Sequence, residues 1–407
     1  MPRARLTAVL LLAGLGAVTA GIGAAATQPD DGSAAAAATP SSTPVASSVP
    51  AQPLDVAAEN ARPGFAGWRV PAARTSAAGL RLTVAATSVA PGEGFAVTAA
   101  SEQPVTLSAL RIGWYGGAGA REVWRGTSPP SGRIDTTGWP AGTYLIRADS
   151  GPATRYGTLA VRSADARGRV LVMSSPATWR TPGGFLRGEL GVVQVAERYG
   201  APLAYATEAD VAAHPALLKG AAAVVTGSSR DWPAGLAAAV RAAARTGTNL
   251  AFFGAGTGDG ATTRLTGQSP ACRPTSSVRA DWVVRDAGWW GYQGLTVYPG
   301  LLVPGLVAGG SDRAAIAAGS ARQRTTVAGT WVGCGAQAST QAATYSVLGS
   351  GAVVFSAGTG AWACTVNRTC SGGVPAQAQR FAVRVTKNVL SAVATPKAGR
   401  KLAEAGQ

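Results

Sequence analysis

The chain has 407 residues, enough for two folded domains and shorter accessory segments. Apolar residues make up 46% and charged residues 14%, which excludes a disordered acidic protein and a charge-rich coiled coil. Lysine and arginine outnumber aspartate and glutamate by 36 to 20, but the arginines are scattered singly. This +16 charge therefore indicates a basic solvated surface, and we predict no nucleic-acid partner. A single histidine, His214, excludes any site built from several histidines.

Residues 1–26 have the pattern of a secretory signal peptide, with a basic start, an apolar run and small residues around Ala24–Ala26. Residues 27–62 are rich in Ala, Ser, Thr and Pro and predict a disordered linker. We therefore expect a secreted, soluble protein, extracellular or associated with the cell envelope, from which the leader has been cleaved. Retention of the leader as a membrane anchor is the alternative.

All four cysteines lie in the last third of the chain, and export would place them in an oxidising compartment. Disulfide bonds are the leading interpretation, in which Cys364 and Cys370 close a short loop and Cys272 and Cys334 close a long one. Four cysteines allow three pairings, so the connectivity stays open. No pair has the close spacing that zinc sites favour, which argues against a site built from all four.

The first predicted domain is rich in strands. Between Leu80 and Val161, short apolar or alternating runs such as LRLTVAA, VTLSALRIGWY and GTYLIRAD are separated by turn residues. Runs of this length and spacing predict an immunoglobulin-like β-sandwich over residues 63–165. We expect its core to include Tyr144, Ile146 and Leu159. The tryptophans Trp114, Trp124 and Trp139 are interpreted as core or lid aromatics, with an exposed platform for sugars as the alternative.

After Gly168 the pattern changes to strands alternating with helices. The runs RVLVMSS, PLAYAT, AAAVVTG and NLAFFGAG read as buried strands, and the helix GFLRGELGVVQVAERYG is expected to end at Gly200. Such alternation predicts a parallel sheet covered on both faces over residues 166–395. Residues 257–341, rich in Trp, Gly and Pro, break the alternation and are predicted to be an insertion. Residues 396–407 are predicted to be a basic tail.

In sheets of this kind, ligands bind in the crevice at the carboxyl ends of the strands. Residues that follow the predicted strands are therefore candidates: Ser174–Trp179, Thr207 and Glu208, Gly227–Trp232, Gly254–Asp259 and Gly358–Trp362. Three tryptophans, Trp179, Trp232 and Trp362, are expected to line the crevice and to bind ligand. Two others on the insertion, Trp289 and Trp290, are expected to cover it.

Six strings carry a resemblance to a known family: RIGWYGGAGARE, ATWRTPGG, YATEADVAAHPALL, VVTGSSRDW, NLAFFGAG and VFSAGTGAW. In this order, over about Leu80–Val393, they resemble the large (beta) subunit of N,N-dimethylformamidase and its secreted relatives. The resemblance implies a two-domain chain, a sandwich followed by a glutamine amidotransferase-like (flavodoxin-like) α/β domain. For the enzyme of the family it also implies a small partner subunit, and an iron ion that is held by tyrosines and a glutamate and activates water for amide hydrolysis.

The chain departs from the family at the implied iron site. The usual string Gly-His-Asp-Glu-Tyr-Trp reads here as Gly-Ser-Ser-Arg-Asp-Trp, at Gly227–Trp232, and no glutamate occurs between Glu208 and Glu404. We therefore predict that the chain has no metal cofactor. Neither a cysteine nor a G-x-S-x-G elbow follows a predicted strand as a nucleophile does, and His214 is interpreted as a helix-entry residue.

The polar residues left near the crevice define the candidate site. Glu208, Ser229 and Asp231 are the candidate catalytic residues, and Arg230 is a candidate ligand-binding residue, because charged groups bind polar ligands through strong hydrogen bonds. The alternative for Arg230 and Asp231 is a solvated ion pair.

Three functions remain open. The leading hypothesis is a binding or accessory protein for a small polar or amide ligand, on a scaffold that has lost the family's iron ligands. The first alternative is a hydrolase of an amide C–N bond with a rebuilt site. The second is a cell-envelope protein that binds wall polymers through its basic, tryptophan-bearing surface.

Overall fold

Three short helical segments precede the first strand in the computed structural model. It describes residues 53–127, 131–179, 183–227, 232–255, 263, 265–272, 279–314, 321–334 and 337–405. Helix α1 spans Val56–Asn60, a 3-10 turn spans Ala66–Trp68 and helix α2 spans Ala72–Ser76. The predicted signal peptide and most of the predicted linker lie outside the described residues.

The linker prediction is wrong for residues 56–60, because helix α1 has buried contacts. Asp55 caps the helix by accepting a hydrogen bond from the Ala58 N–H at 3.0 Å. Val56 and Glu59 are buried, and the Glu59 carboxylate accepts hydrogen bonds from Tyr115 Oη and Arg121 Nε at 2.7 and 2.8 Å. A short helix that is weak on its own is thus held by partners far along the chain.

Eight strands then form two sheets around a shared core. They are β1 (Arg81–Val84), β2 (Ser88–Val89), β3 (Gly94–Ala100), β4 (Thr106–Ile112), β5 (Ala120–Thr127), β6 (Ser131–Asp135), β7 (Gly142–Ser150) and β8 (Ala153–Val161). The sheet orders are β1-β3-β6 and β2-β8-β7-β4-β5. Tyr144, Ile146 and Leu159 are fully buried in the core, as predicted. Trp139 stacks on Tyr144 with ring centroids 5.1 Å apart, which confirms its interpretation as a core aromatic.

The remainder of the chain contains the strands and helices of an α/β part. Its first half comprises β9 (Val170–Ser174), α3 (Pro176–Trp179), α4 (Gly184–Gly188), α5 (Leu190–Tyr199), β10 (Leu203–Thr207), α6 (Glu208–Ala213), a 3-10 turn (Pro215–Leu218), β11 (Ala223–Thr226), α7 (Ala234–Arg245) and β12 (Asn249–Phe252). Helix α5 ends at Gly200 in the left-handed conformation, as predicted.

The second half comprises β13 (Gln268–Cys272), β14 (Ala280–Val283), a 3-10 turn (Trp290–Tyr292), β15 (Leu302–Val307), β16 (Ser311–Ala314), β17 (Ala321–Cys334), β18 (Gln337–Leu348), β19 (Val353–Ser356), α8 (Trp362–Asn367), α9 (Ala376–Val393) and α10 (Ala398–Ala405). No helix in the described ranges is long and apolar enough to cross a bilayer.

A seven-stranded sheet organises this α/β part, with the order β10-β9-β11-β12-β19-β18-β17. The first five strands are parallel, as the strand–helix alternation predicts. Alternate residues of β9 enter different cores: Val170 and Val172 pack on the side of α5 and α9, whereas Leu171 and Met173 pack on the side of α6 and α7. Both faces of the sheet are therefore covered, as expected for buried parallel strands.

The predicted insertion contributes one strand to the main sheet. Strands β17 and β18 pair with each other in antiparallel register, and β18 pairs with β19 in the same manner. The predicted insertion boundary at residue 341 falls inside β18, and β17 and the start of β18 extend the sheet. An antiparallel hairpin lacks the crossover helix on which the strand–helix alternation depends.

A buried ion pair joins the β-rich and α/β parts. Arg111 on β4 donates to Glu197 on α5 at 2.7 Å, and both side chains are fully buried. Glu197 also accepts hydrogen bonds from Tyr205 Oη and Asn60 Nδ2. The largest hydrophobic core spans the same boundary, since it includes both Ile112 of β4 and Val193 of α5. The β-rich part is thus held against helix α5 by both a buried ion pair and a shared hydrophobic core.

Candidate functional site

The candidate site lies where the strand order of the parallel sheet reverses. The chain passes from β9 to β10 on one side and then to β11 on the other, so the loops after β9 and β11 diverge and leave a crevice. Three described residues mark this end of the sheet: Ser175 after β9, Glu208 after β10 and Gly227 after β11.

Glu208 is the predicted catalytic candidate that the structure describes. It is the first residue of α6, whose start is fixed by a capping box between Thr207 and Asp210. Its Oε1 accepts the Trp232 indole N–H at 2.8 Å, and its Oε2 accepts the Ser175 hydroxyl at 2.8 Å. Burial raises the pKa of this carboxyl to about 7, although both hydrogen bonds act to lower it. Glu208 is therefore a carboxyl group that exchanges its proton near neutral pH.

Glu189, between α4 and α5, is a second carboxyl at this site. Its side chain is 2% exposed, and its Oε1 accepts the Ser175 N–H at 2.9 Å and the Thr178 hydroxyl at 3.2 Å. The Ser174 and Trp179 side chains also lie within hydrogen-bonding reach of this carboxyl and act to lower its pKa. Burial raises the pKa of Glu189 to about 7, and the negative charge of Glu208 raises it further. Ser175 thus holds one carboxyl with its amide and the other with its hydroxyl.

The sequence prediction missed Glu189, although a signal was present. Glu189 follows Phe185 by four residues and precedes Val193 by four, so all three share one face of the predicted helix. Phe185 and Val193 are buried, and Glu189 is buried with them. A glutamate on the apolar face of a helix is unusual enough to be a candidate for a functional group.

A close backbone contact fixes Glu189 over the end of β11. A Cβ atom added to Gly227 would lie 2.6 Å from the Gly188 carbonyl oxygen and 3.0 Å from the Glu189 Cα. A side chain at position 227 therefore cannot fit without moving the backbone between α4 and α5. The glycine allows the switch-point strand to approach the segment that bears Glu189.

The three predicted crevice tryptophans occupy different environments. Trp232 donates to Glu208 and packs on Phe252, and Trp179 is partly exposed and meets Phe185 edge to face. Trp362 is 0% exposed, and its indole N–H donates to Thr386 in the core. The structure therefore brings Trp179 and Trp232 to the site but not Trp362, because α8 turns that ring under the sheet.

Trp289 and Trp290 also lie away from the position predicted for them. Trp289 stacks on Phe355 of β19 with ring centroids 5.2 Å apart, and Trp290 packs on Tyr345. Both rings belong to or pack against the core on the α5 and α9 side of the sheet. They fill that core and do not form a cover over Glu208.

The remaining predicted site residues, Ser229, Arg230 and Asp231, lie outside the described residues. Their described neighbours Gly227 and Trp232 both reach the site, as given above. His214 is the exposed C-cap of α6, which agrees with its interpretation as a helix-boundary residue. Among the described ranges, no cluster of three His, Cys, Asp or Glu side chains is placed to bind a metal ion.

The cysteine prediction is confirmed for one pair. Cys364 and Cys370 form a disulfide bond that closes the loop after α8. The backbone of Cys272 lies in β13 and that of Cys334 at the end of β17. The side chains of these two residues are outside the described part of the structure, so their predicted pairing stays a prediction.

A separate groove of about 740 Å³ lies on the β-rich part, away from this site. Its walls include residues 78–81 and 100–103 together with Ser150, Pro152 and Arg155. The polar groups at its base are already paired: the Ser150 and Ser101 hydroxyls bond each other at 2.8 Å, and Arg155 donates to the Thr75 carbonyl at 2.8 Å. The groove therefore offers no buried polar group that lacks a partner.

Comparisons with known proteins give weak matches. The chain matches no protein-family model and no curated protein. Among solved structures, it is similar to a ThuA-like protein from Bacteroides uniformis ATCC 8492, with 8% identity and a TM-score of 0.34, over 57% of this chain and 94% of that one. It also matches a β-glucuronidase from Faecalibacterium prausnitzii with 15% identity and a TM-score of 0.19, over 42% of this chain and 27% of that one.

Proposed function

We propose that this chain is a secreted protein that binds a small polar ligand in the crevice at the carboxyl ends of β9, β10 and β11, with Glu208 as the anchoring group. The proposal rests on the environment of the Glu208 carboxyl. Its carboxyl is largely desolvated at the switch point of a parallel sheet, held by Ser175 and Trp232, and still partly accessible. Ligands of such sheets bind at this position.

The chemistry of Glu208 defines what it can bind. A carboxylate has about four acceptor positions, and Ser175 and Trp232 occupy one on each oxygen. The remaining positions suit the N–H groups of an amide or an amine. Since partial burial strengthens a charge-assisted hydrogen bond, a small ligand with such groups gains more here than at the surface.

We also propose the finer fold assignment, an immunoglobulin-like sandwich followed by an amidotransferase-like domain of the dimethylformamidase large-subunit kind. Two observations support it. Two sheets of β1–β8 share one core, and the five parallel strands follow the order second, first, third, fourth, fifth that flavodoxin-like domains have.

Nuclear magnetic resonance of the indole N–H groups tests the binding proposal, with acetamide and acetate as probes. Acetamide should shift the Trp232 indole signal, since that group donates to Glu208, and acetate should not, because it repels the carboxylate. Glu208→Gln should weaken acetamide binding about tenfold, because glutamine has a single acceptor oxygen in place of the two that accept from Ser175 and Trp232. Glu102→Gln, at an exposed position on the β-rich part, is the matched control. Equal acetamide binding by the two variants rules out Glu208 as the anchor.

One observation favours a hydrolase as a second candidate function. Glu189 and Glu208 both have pKa values raised to about 7 and both bond Ser175, so near neutral pH one can hold a proton while the other has lost its own. Such a pair can act as acid and base in the addition of water to an amide. The base takes a proton from water while the water oxygen bonds to the carbonyl carbon of the amide. The acid then protonates the amide nitrogen as the C–N bond breaks.

Amine release tests this second function. If the pair is catalytic, the chain should release ammonia from acetamide or dimethylamine from N,N-dimethylformamide, and Glu208→Gln should abolish the release. Glu102→Gln should leave it unchanged. Release that persists in Glu208→Gln would place the chemistry elsewhere, and binding without release leaves the ligand-binding function alone.

A further inference from the structure

The disulfide loop, residues 364–370, packs against the segment that bears Glu189. The Thr369 hydroxyl and the Asn367 side-chain amide donate to the Leu186 carbonyl at 2.9 and 3.3 Å. Leu186 lies in the last turn of α4, where a helix leaves carbonyl groups without an intrahelical donor. The disulfide loop therefore caps the end of α4, three residues before Glu189.

Helix α8, which contains Cys364, contacts the same segment on the other side of Glu189. A Cβ atom added to Gly191 would overlap the Ala363 carbonyl oxygen and lie 3.0 Å from the Val366 Cβ. A side chain at position 191 does not fit, so the glycine allows α8 to pack on the first turn of α5. Glu189 is thus flanked on both sides by contacts with α8 and the disulfide loop.

The conformation of the disulfide loop depends on its covalent bond. Arg368 lies between Asn367 and Thr369 and has a φ of 61°, the left-handed conformation that glycine usually adopts at the end of a helix. A residue with a Cβ atom keeps this conformation only where the surrounding structure enforces it. Cys364 precedes this turn and Cys370 follows it, so their bond closes the chain around it. The disulfide therefore supports the turn that places Asn367 and Thr369 against α4.

A series of direct contacts continues from Glu189 to Glu208. The Ser175 N–H donates to Glu189 at 2.9 Å, and the Ser175 hydroxyl donates to Glu208 at 2.8 Å. Trp179 lies within hydrogen-bonding reach of the Glu189 carboxyl, and its ring meets Phe185 of α4 edge to face. If α4 moves, both Trp179 and the serine that holds Glu208 must therefore adjust.

We propose that the Cys364–Cys370 disulfide positions Glu189 and Ser175, and thereby sets the affinity of the crevice for its ligand. The inference rests on the proposed function, in which Glu208 anchors that ligand. Neither cysteine touches the candidate site. They act through the contacts of the disulfide loop and α8 with the segment that bears Glu189, so they are positioning residues.

Removal of the disulfide from the full chain tests the proposal. Trp179 reports on α4 and Trp232 on the neighbourhood of Glu208, and their indole ¹⁵N–¹H signals are assigned with Trp179→Phe and Trp232→Phe. Cys364→Ala/Cys370→Ala should shift both signals before any ligand is added. It should also weaken acetamide binding about fivefold or more, as expected for energetically coupled sites.

A core variant of the β-rich part controls for a general loss of stability. Val97 is buried in the core that the two sheets of β1–β8 share, away from the disulfide loop. Val97→Ala should lower the stability of the chain but leave both indole signals and acetamide binding unchanged.

A milder variant keeps the disulfide and removes one contact of its loop. Thr369→Val deletes the hydroxyl that donates to Leu186, and should shift the Trp179 signal and weaken acetamide binding about twofold. Thr246→Val is the matched control, because the Thr246 hydroxyl donates at 2.8 Å to the Ala243 carbonyl at the end of α7, on the opposite face of the sheet. It should change neither. This pair of variants decides the question even if the chain without the disulfide fails to fold.

The outcomes separate the role of the disulfide from the proposed function. Unmoved indole signals in Cys364→Ala/Cys370→Ala, or acetamide binding that stays within twofold of the wild type, overturn the positioning role and leave Glu208 as the anchor. Equal effects of Val97→Ala, or identical behaviour of Thr369→Val and Thr246→Val, overturn it as well. Signals that shift although the wild type does not bind acetamide support the positioning role and remove the proposed function.

Discussion

Glutamates near both ends of helix α5 are buried, and their neighbours give them different roles. Glu189 has no cation beside it among its contacts, and burial raises its pKa to about 7. Glu197 has Arg111 at 2.7 Å, together with Tyr205 and Asn60. Burial opposes the charge on Arg111, but Glu197 outweighs it and the pKa of Arg111 is raised. The first glutamate can exchange a proton near neutral pH, and the second stays in an ion pair.

Glu197→Gln should destabilise the chain by about 3–5 kcal/mol, because Arg111 then remains buried without a counter-charge. Glu122→Gln is the matched control. Its partner Arg125 is 56% exposed, and loss of such a pair costs about 0–1 kcal/mol. The free energy of unfolding in urea measures both variants, and equal losses would contradict the role assigned to the buried pair.

At the scale of elements, the site depends on how closely β11 approaches the segment between α4 and α5. That contact involves backbone atoms on both sides, so neither can move away as a flexible side chain does. Glu189 lies in this segment, and its carboxyl accepts hydrogen bonds from the Ser175 N–H and the Thr178 hydroxyl beyond β9. If the end of β11 moves, the backbone that bears Glu189 must move with it, and the Glu189 carboxyl is displaced as well.

Gly227→Ala should cost about 1–3 kcal/mol of stability, as added volume in a tightly packed place does, and should shift the Trp179 and Trp232 indole signals. Gly235→Ala, on the first turn of α7, is the control. No atom lies within 4 Å of its added Cβ, and alanine should be neutral or stabilise by up to about 1 kcal/mol. Unchanged indole signals in Gly227→Ala would show that the close approach does not position Glu189.

The elements that sequence could predict are those whose signal is local. Buried parallel strands read as apolar runs, and Glu208 was found because it directly follows one of them. Glu189 and helix α1 depend on partners distant in sequence: Ser175 is 14 residues from Glu189, and Arg121 is 62 residues from Glu59. Trp362 shows the converse. Trp362 lies close behind a strand, as a residue that lines the crevice should, but its ring is buried in the core. The local sequence pattern does not indicate in which direction a side chain points.

At the scale of the whole molecule, the two site carboxyls should shape the dependence of stability on pH. Their pKa values are about 7 in the folded chain and near 4.5 when unfolded, so the folded state binds more protons between these values. The contribution of these two carboxyls to the free energy of unfolding is fully present below pH 4.5 and is lost as the pH rises toward about 7. Asp149 acts in the opposite sense. Burial would raise its pKa, but Arg147 and Thr154 outweigh burial and lower it, so its contribution is lost as the medium becomes strongly acidic.

We therefore expect the chain to be most stable in mildly acidic solution, and to lose on the order of a few kcal/mol as the pH rises to about 7. The double variant Glu189→Gln/Glu208→Gln should have a flatter profile between these limits, because neither amide titrates. Urea unfolding at a series of pH values measures both proteins. At low pH the net positive charge rises by nearly the same amount in the wild type and in the double variant. The difference between their two pH profiles therefore gives the contribution of Glu189 and Glu208 to stability. Parallel profiles would mean that Glu189 and Glu208 ionise in the folded chain as they do in the unfolded one, and that neither holds a proton near neutral pH.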